Sequence, residues 1–364
     1  MPADRRGERV RALVPALEAA GIGALLVTSR PNIRYLTGFS GSAALVVVTP
    51  RDLLLVTDFR YEEQARGEAG GVARVVVEGA SAWDRLFKEL PALGALEAIG
   101  YEAQALTVHD AARCEAGGKA WRWVAAGTPV ERLRAQKDAD EVAAIAAAAA
   151  LAGDALRDTL RQVRPGLSEL EIVGLLEGAL RRRGSEGHPF PAIVASGPRS
   201  ALPHAQTSRR TVAAGDWLLI DFGATVDGYC ADITRTVVVG ARATGGQRVL
   251  YEVVRQAQRC AREGVRAGMP GKDADALARD WIEAQGLGDA FGHSTGHGVG
   301  LEVHEAPRLA RTAPDPVPVN AVVTIEPGVY VAGEGGVRIE DDVHVAADGP
   351  VLLSDGETEL VELV

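Results

Sequence analysis

Residues 217–239 hold two apolar runs, each joined to an acid. The first is Trp217-Leu218-Leu219-Ile220-Asp221. The second is Asp232-Ile233-Thr234-Arg235-Thr236-Val237-Val238-Val239. Runs this rich in β-branched and aliphatic residues read as strands. The pattern recurs farther along. Glu326 closes Val322-Val323-Thr324-Ile325, and Glu340 follows Val337-Arg338-Ile339. His297 stands among glycines between the two pairs. Four carboxylates and a histidine thus lie on strands or at their lips.

An acid at the end of an apolar strand is costly unless its charge is compensated. Hard divalent cations do this, because they favour oxygen ligands with at most a little imidazole. Five such residues suffice to hold two metals roughly 3.5–4 Å apart and activate a water. The pattern predicts a two-metal hydrolase. Arg235 and Arg338 are expected to pair with one acid each, which still leaves more acids than local bases. Each acid alone also reads as a strand-end turn residue, with Gly223 after Asp221 and Pro327-Gly328 after Glu326. Asp341 and Asp342 read equally as an acidic turn.

The 364 residues suggest about two domains with ample core. Hydrophobic residues make 47% and charged residues 24%, an ordinary globular balance. The net charge of −10 argues against nucleic acid or an anionic membrane as partner. Cys114, Cys230 and Cys260 are widely spaced and odd in number, so neither a disulfide framework nor a zinc finger is expected. No apolar run precedes Pro15 as a secretory signal requires, and the alanine-rich run 142–152 is too short to span a bilayer. A cytoplasmic location is expected.

A helix over 8–20 opens the chain. Strands follow at Ala24–Thr28, Ala44–Thr49, Leu53–Thr57, Val72–Glu78 and Ala98–Gly100, with helices at Tyr61–Arg66 and Ala82–Glu89. This alternation predicts an α/β layer domain over 1–130. Composition shifts near 125–137, and a long helix, 138–162, opens a second domain over 131–364. That domain carries an internal echo. Val163-Arg164-Pro165-Gly166-Leu167 resembles Val265-Arg266-Ala267-Gly268-Met269, and each precedes a helix that stops at a glycine, Gly184 or Gly286. Ser168 and Glu171 have capping-box spacing. Two similar α+β halves facing each other, with the acids between them, are expected.

His204, His293, His297 and His304 fall in the segments nearest the acids. Glycines around His297 let backbone approach a ligand closely. Solvated histidines in a surface loop are the simpler explanation for any one of them, but not for the constellation.

Taken together, the motifs resemble the pita-bread metallopeptidases: methionine aminopeptidase, aminopeptidase P, prolidase and creatinase. They are Asp-Phe-Gly-Ala at 221–224, Asp-Ile-Thr-Arg-Thr at 232–236, Gly-His-Gly-Val-Gly at 296–300, Val-His-Glu at 303–305, Glu-Pro-Gly-Val-Tyr at 326–330 and Gly-Val-Arg-Ile-Glu-Asp at 336–341. The stretch 30–39 is similar to the extra N-terminal domain of the proline-specific and creatinase branches. The resemblance implies a C-terminal pita-bread domain with pseudo-twofold halves and a smaller creatinase-like α/β domain. It implies that Asp221 chelates one metal, that His297 and Glu326 hold the other, and that Asp232 and Glu340 bridge them. His204 and His304 would then stabilise the scissile carbonyl, and Glu326 would shuttle the proton. His293, Tyr330 and Arg338 match pocket positions. Ser294 replaces a glycine frequent in this motif, so the pocket edge is expected to differ.

The resemblance further implies cleavage before proline. Manganese is the expected metal, with cobalt or zinc as alternatives, two ions per subunit, and a homodimer acting on small proline-containing peptides. Arg308 matches an arginine that, in compact prolidases, binds the free carboxylate of a dipeptide, a task suited to a guanidinium. As a surface residue it would instead leave room for longer peptides, as in aminopeptidase P. A creatinase-like amidinohydrolase and a non-catalytic binding module are the remaining readings. Neither requires the full ligand set that this chain retains.

Overall fold

The computed structural model describes residues 5–354 and 358–364. The chain divides into two compact units, one ending at Arg134 and one beginning at Ala135.

The first unit is built on a six-stranded mixed sheet. Its order is Arg74–Glu78, Leu53–Asp58, Ala44–Val48, Ala24–Val27, Ala98–Glu102 and Arg122–Ala126. Ala24–Val27 is buried along its whole length, as expected of a central strand of aliphatic residues. Arg74–Glu78 starts later than its apolar run suggests, because Val72 and Ala73 both donate to the carbonyl of Ala69 and stay in the helix-ending turn. Arg122–Ala126 was not among the expected strands and reaches the apparent composition shift only with its last two residues. It is the last strand of this sheet, half exposed, so its apolar pattern is weak.

The second unit repeats one plan: a pair of helices on an antiparallel-rich sheet. Helices Ala139–Leu160 and Glu169–Arg183 cover a four-stranded sheet containing Ile193–Ser196, Trp217–Phe222 and Ile233–Val239. Helices Gly245–Gly264 and Gly271–Ala284 cover a five-stranded sheet containing Gly296–Gly298, Glu305–Leu309, Ala321–Ile325 and Asp341–Ala346. Three of the four helices begin with a complete capping box, on Asp138, Ser168 and Thr244. Each such cap contributes about 1 kcal/mol.

The echo in sequence is an echo in hydrogen bonding. Gly166 and Gly268 both have positive φ, at 93° and 81°. Gly166 N donates to Val212 O and Val212 N to Leu167 O, while Gly268 N donates to Val317 O and Val317 N to Met269 O, all at 2.8 Å. The same glycine turn thus hooks the helix pair to its sheet in each half.

Strand pairing then sets the acids in place. Trp217–Phe222 pairs antiparallel with Ile233–Val239, Asp221 lying beside Ile193 on one edge and Thr234 on the other. Thr234 also bridges to Glu340, which joins the two halves of this unit at the acids.

Candidate metal centre

Asp221, Asp232, His297, Glu326 and Glu340 line one cavity of about 590 Å³, together with His204, His293, His304, Arg308 and Arg338. Tyr330 lies behind His293 rather than on the wall. Oxygen and nitrogen atoms fall within 4.8 Å of one another in three sets: Asp221, Asp232 and Glu340; His297, Glu326 and Glu340; and Asp232, His297 and His304.

The electrostatics of these acids are unfavourable by themselves. Burial, then the charges of Glu340, Asp221 and Glu326, push the Asp232 carboxyl well above its usual range. Glu340 is raised likewise, by burial and then by Glu326 and Asp221. Burial pushes Glu326 up to about 8 despite the nearby Arg338 guanidinium. Asp232 Oδ1 is buried and accepts no hydrogen bond among the described residues.

The histidine complements the acids. His297 Nδ1 lies 3.1 Å from the carbonyl of Gly298, which can only accept. The proton is therefore on Nδ1. The bare Nε2 faces Glu326 Oε1 at 3.4 Å and Asp232 Oδ2 at 3.8 Å. Burial, then the neighbouring His304, lowers the ring to about 4, so it is neutral at pH 7. A lone pair facing carboxyl oxygens requires a proton or a cation between them, and a cation satisfies both. The donor set, oxygen-rich with one imidazole, fits hard divalent ions.

Three glycines in the segment around His297 each make room for one neighbour. A Cβ on Gly296 would meet the Thr324 carbonyl at 1.9 Å, on Gly298 the Ala306 carbonyl at 2.2 Å, and on Gly300 the Glu305 carboxylate at 2.4 Å. Glu305 is in turn ion-paired with Lys137 at 2.7 Å, both side chains nearly inaccessible at 6% and 1%. The pair joins the start of helix Ala139–Leu160 to the strand that follows His304.

Arg338 is the hub of the wall. It donates to Asp221 Oδ2 at 2.5 Å, to Tyr330 Oη at 2.8 Å, to Thr234 Oγ1 at 3.1 Å and to the Pro203 carbonyl at 3.3 Å. His293 Nδ1 sits 2.8 Å from the Ser294 carbonyl and must donate to it, so Nε2 accepts from Tyr330 Oη at 2.8 Å. Burial, then Arg338, lowers His293 to about 4 and fixes this neutral form. Tyr330, pushed up to about 12 by burial, keeps its proton. His304 stacks obliquely on His297, with ring centres 4.2 Å apart.

One expectation is revised. Asp341 and Asp342 are not a turn. They begin the strand Asp341–Ala346 and are wholly buried. Asp341 takes hydrogen bonds from Arg235 and Gln258, and Asp342 Oδ2 accepts from the backbone of Asp232 at 3.1 Å. Arg235 thus pairs with the Asp341 carboxylate at 2.7 Å and also donates to the backbone carbonyl of Glu340 at 2.6 Å. Sequence reading also missed the apolar wall, Phe190, Ile193 and Pro203. They are distant in sequence from the acids, and only the Leu202-Pro203-His204 stretch hinted at them.

Residues 143–347 match the metallopeptidase family M24, and residues 9–136 match the creatinase/prolidase N-terminal domain. The chain belongs to metallopeptidase family M24. Among its relatives, the Xaa-Pro dipeptidase of Pyrococcus horikoshii is 33% identical, over 98% of this chain and 100% of the relative. The solved Xaa-Pro dipeptidase of Bacillus anthracis superposes with TM-score 0.94 at 38% identity, covering 98% of this chain and 100% of that one. The X-Pro aminopeptidase of Thermotoga maritima superposes with TM-score 0.89 at 36% identity, again over 98% and 100%. As a member of this family the chain is a metal-dependent peptidase with the pita-bread fold. No helix among the described residues is long and apolar enough to cross a membrane.

Proposed function

We propose that this chain is an Xaa-Pro dipeptidase, a prolidase that cleaves the bond before a C-terminal proline. The observation that carries the dipeptide choice is Arg308, which lines the acid cavity directly beside His297 in strand register. A guanidinium there suits the free carboxylate of a Xaa-Pro dipeptide. The dipeptidases of Pyrococcus horikoshii and Bacillus anthracis, similar over their full lengths, support the reading.

Asp221, Asp232 and Glu340 are assigned to one divalent ion, and His297 and Glu326 with the shared Asp232 and Glu340 to a second, manganese first and cobalt or zinc as alternatives. When bound, such ions supply Lewis acidity and lower the pKa of water. The chain's own residues do the rest. Arg308 holds the substrate carboxylate, and Phe190, Ile193 and Pro203 offer apolar surface to the prolyl ring. His204 and His304 donate N–H to the carbonyl oxygen as negative charge develops there. As the water oxygen bonds to the carbonyl carbon, Glu326 takes its proton. Glu326 then gives that proton to the prolyl nitrogen as the C–N bond breaks. The nitrogen leaves as a basic secondary amine, so this delivery is essential. Arg338, through Tyr330, keeps the His293 ring neutral and oriented.

The X-Pro aminopeptidase of Thermotoga maritima, 36% identical, supports a second reading in which longer peptides enter. After chelation and manganese restoration, hydrolysis of Ala-Pro is compared with Ala-Pro-Ala. Preference for Ala-Pro supports the dipeptidase. Preference for Ala-Pro-Ala makes the chain an aminopeptidase P, and no metal-dependent cleavage of either leaves a binding module. A homodimer acting in the cytoplasm completes the proposal. The three free cysteines suit a reducing compartment. Sedimentation as monomer alone at micromolar concentration counts against the dimer.

A further inference from the structure

We propose that Glu169 is a positioning residue that clamps both ends of the segment 196–208 and so holds His204 over the cavity. Glu169 opens the helix Glu169–Arg183 and is wholly buried. Its two oxygens divide the work. Oε1 accepts from Ser196 N at 2.8 Å and Ser196 Oγ at 2.9 Å. Oε2 accepts from Ser208 N at 2.9 Å and Ser208 Oγ at 2.6 Å. Arg199 Nε reaches both oxygens at 3.2 Å. One carboxylate therefore closes a twelve-residue excursion, 208 minus 196, that has His204 near its crest.

Inside that excursion the grip continues toward the site. Ser200 Oγ accepts from Gly336 N at 2.8 Å, and the Pro203 carbonyl accepts from Arg338 Nη1 at 3.3 Å. Both partners belong to the strand Gly335–Arg338. Thr207 ties the far end to the neighbouring strand by accepting from Val194 N at 3.0 Å. His204 itself is exposed to the cavity, and none of the hydrogen bonds described here holds its ring. Its aim is then set by its backbone, and its backbone is closed at the base by Glu169. Burial works against this carboxylate, but the Ser208 and Ser196 hydrogen bonds outweigh burial and hold it below the usual range. It is therefore charged at neutral pH.

The other half of the unit anchors its own cavity histidine similarly. Asp275, buried on the helix Gly271–Ala284, accepts from Thr295 N at 3.0 Å and holds Arg279, which donates to the His293 carbonyl at 2.7 Å. Each half thus uses a buried acid on its second helix to fix a loop bearing a histidine.

The kinetic arm of the test rests on the peptidase reading above. Glu169→Gln replaces one oxygen with an amide that cannot accept, so one serine loses its anchor. It is made alone and in a His204→Ala background, and kcat and KM for Ala-Pro are measured in manganese-restored enzyme. The expected result is a loss in kcat of up to about 10²-fold, as for a misplaced catalytic group, with KM little changed. In the His204→Ala background Glu169→Gln is expected to cost nothing further. An equal fold-loss in both backgrounds overturns the proposal, since it would show that Glu169 acts apart from His204. Hydrogen exchange of amides 197–207 is followed in the same variants without substrate. Faster exchange in Glu169→Gln is expected, and unchanged exchange overturns the clamp. If the parent enzyme cleaves neither Ala-Pro nor Ala-Pro-Ala, the peptidase reading fails and exchange alone decides the clamp. Ser208→Ala, which removes the hydroxyl bond at one end and keeps the backbone one, carries the same comparisons with smaller expected effects if Glu169→Gln does not fold.

Discussion

Arg308 and Glu326 each carry one proposed role, carboxylate binding and proton transfer. Arg308 is exposed at the edge of the cavity, and its removal leaves the acids intact. A hydrogen-bonded contact to a charged group is worth about 1.5–3 kcal/mol, roughly 10- to 100-fold. Arg308→Ala is therefore expected to raise KM for Ala-Pro by about that factor while changing Ala-Pro-Ala little. Steady-state kinetics on both peptides check it, and equal losses on the two would return Arg308 to the surface. Arg308→Lys is expected to recover only part, because an ammonium lacks the planar fork. For Glu326→Gln, an amide neither takes nor returns the water proton. A kcat loss of about 10²- to 10⁴-fold is expected, the usual worth of general acid–base catalysis.

At the scale of elements, the strand Gly296–Gly298 and its return strand Glu305–Leu309 form a joint that sequence pattern alone undersells. Gly298 faces the Ala306 carbonyl so closely that Gly298→Ala must shift backbone. Overpacking of this kind costs typically 1–3 kcal/mol, and a lower urea midpoint at unchanged m-value is the expected readout. Lys137→Met tests the other side of the joint. It leaves the Glu305 carboxylate without its buried ammonium partner, and breaking such a pair costs about 3–5 kcal/mol. A loss under about 1 kcal/mol would show that Glu305 is held adequately by its other contacts.

For the whole molecule, the acid cluster couples stability to metal and pH. Glu326, Asp232 and Glu340 have folded values raised above those of the unfolded chain. The folded, chelated protein then binds more protons than the unfolded one. Its stability from these groups is complete below about pH 4 and is lost as pH rises toward about 8, the value to which Glu326 is pushed. Burial holds His293 and His297 at about 4, which opposes the acids below about pH 6.5. Chelated protein is therefore expected to lose melting temperature mainly between about pH 6.5 and pH 8, on the order of several degrees. Manganese should restore most of it and release protons on binding. At about 100 times its Kd a bound ion adds about 2.7 kcal/mol. Melting curves with and without chelator across this pH range check the sign, and stability of the chelated protein that climbs toward pH 8 would contradict it.

The chain by itself determined the strands Trp217–Phe222, Ile233–Val239 and Ala321–Ile325, whose apolar runs are long and pure, and the helix after the Ser168–Glu171 cap. It also pointed to the chemistry of the cluster, because each of the five side chains alone reads as a turn or surface residue and only the set together converges on cations. The repeated glycine turns at Gly166 and Gly268 were legible as a motif. Only tertiary structure decided that Asp341 and Asp342 are buried supports and not a turn, since an acidic pair looks the same in either setting until its partners arrive. It alone brought Arg338 to Asp221, Lys137 to Glu305 and Glu169 to both Ser196 and Ser208. Those contacts join residues 27 to 168 positions apart. No local spacing encodes them, because they exist only once two helix pairs have closed their sheets around one cavity.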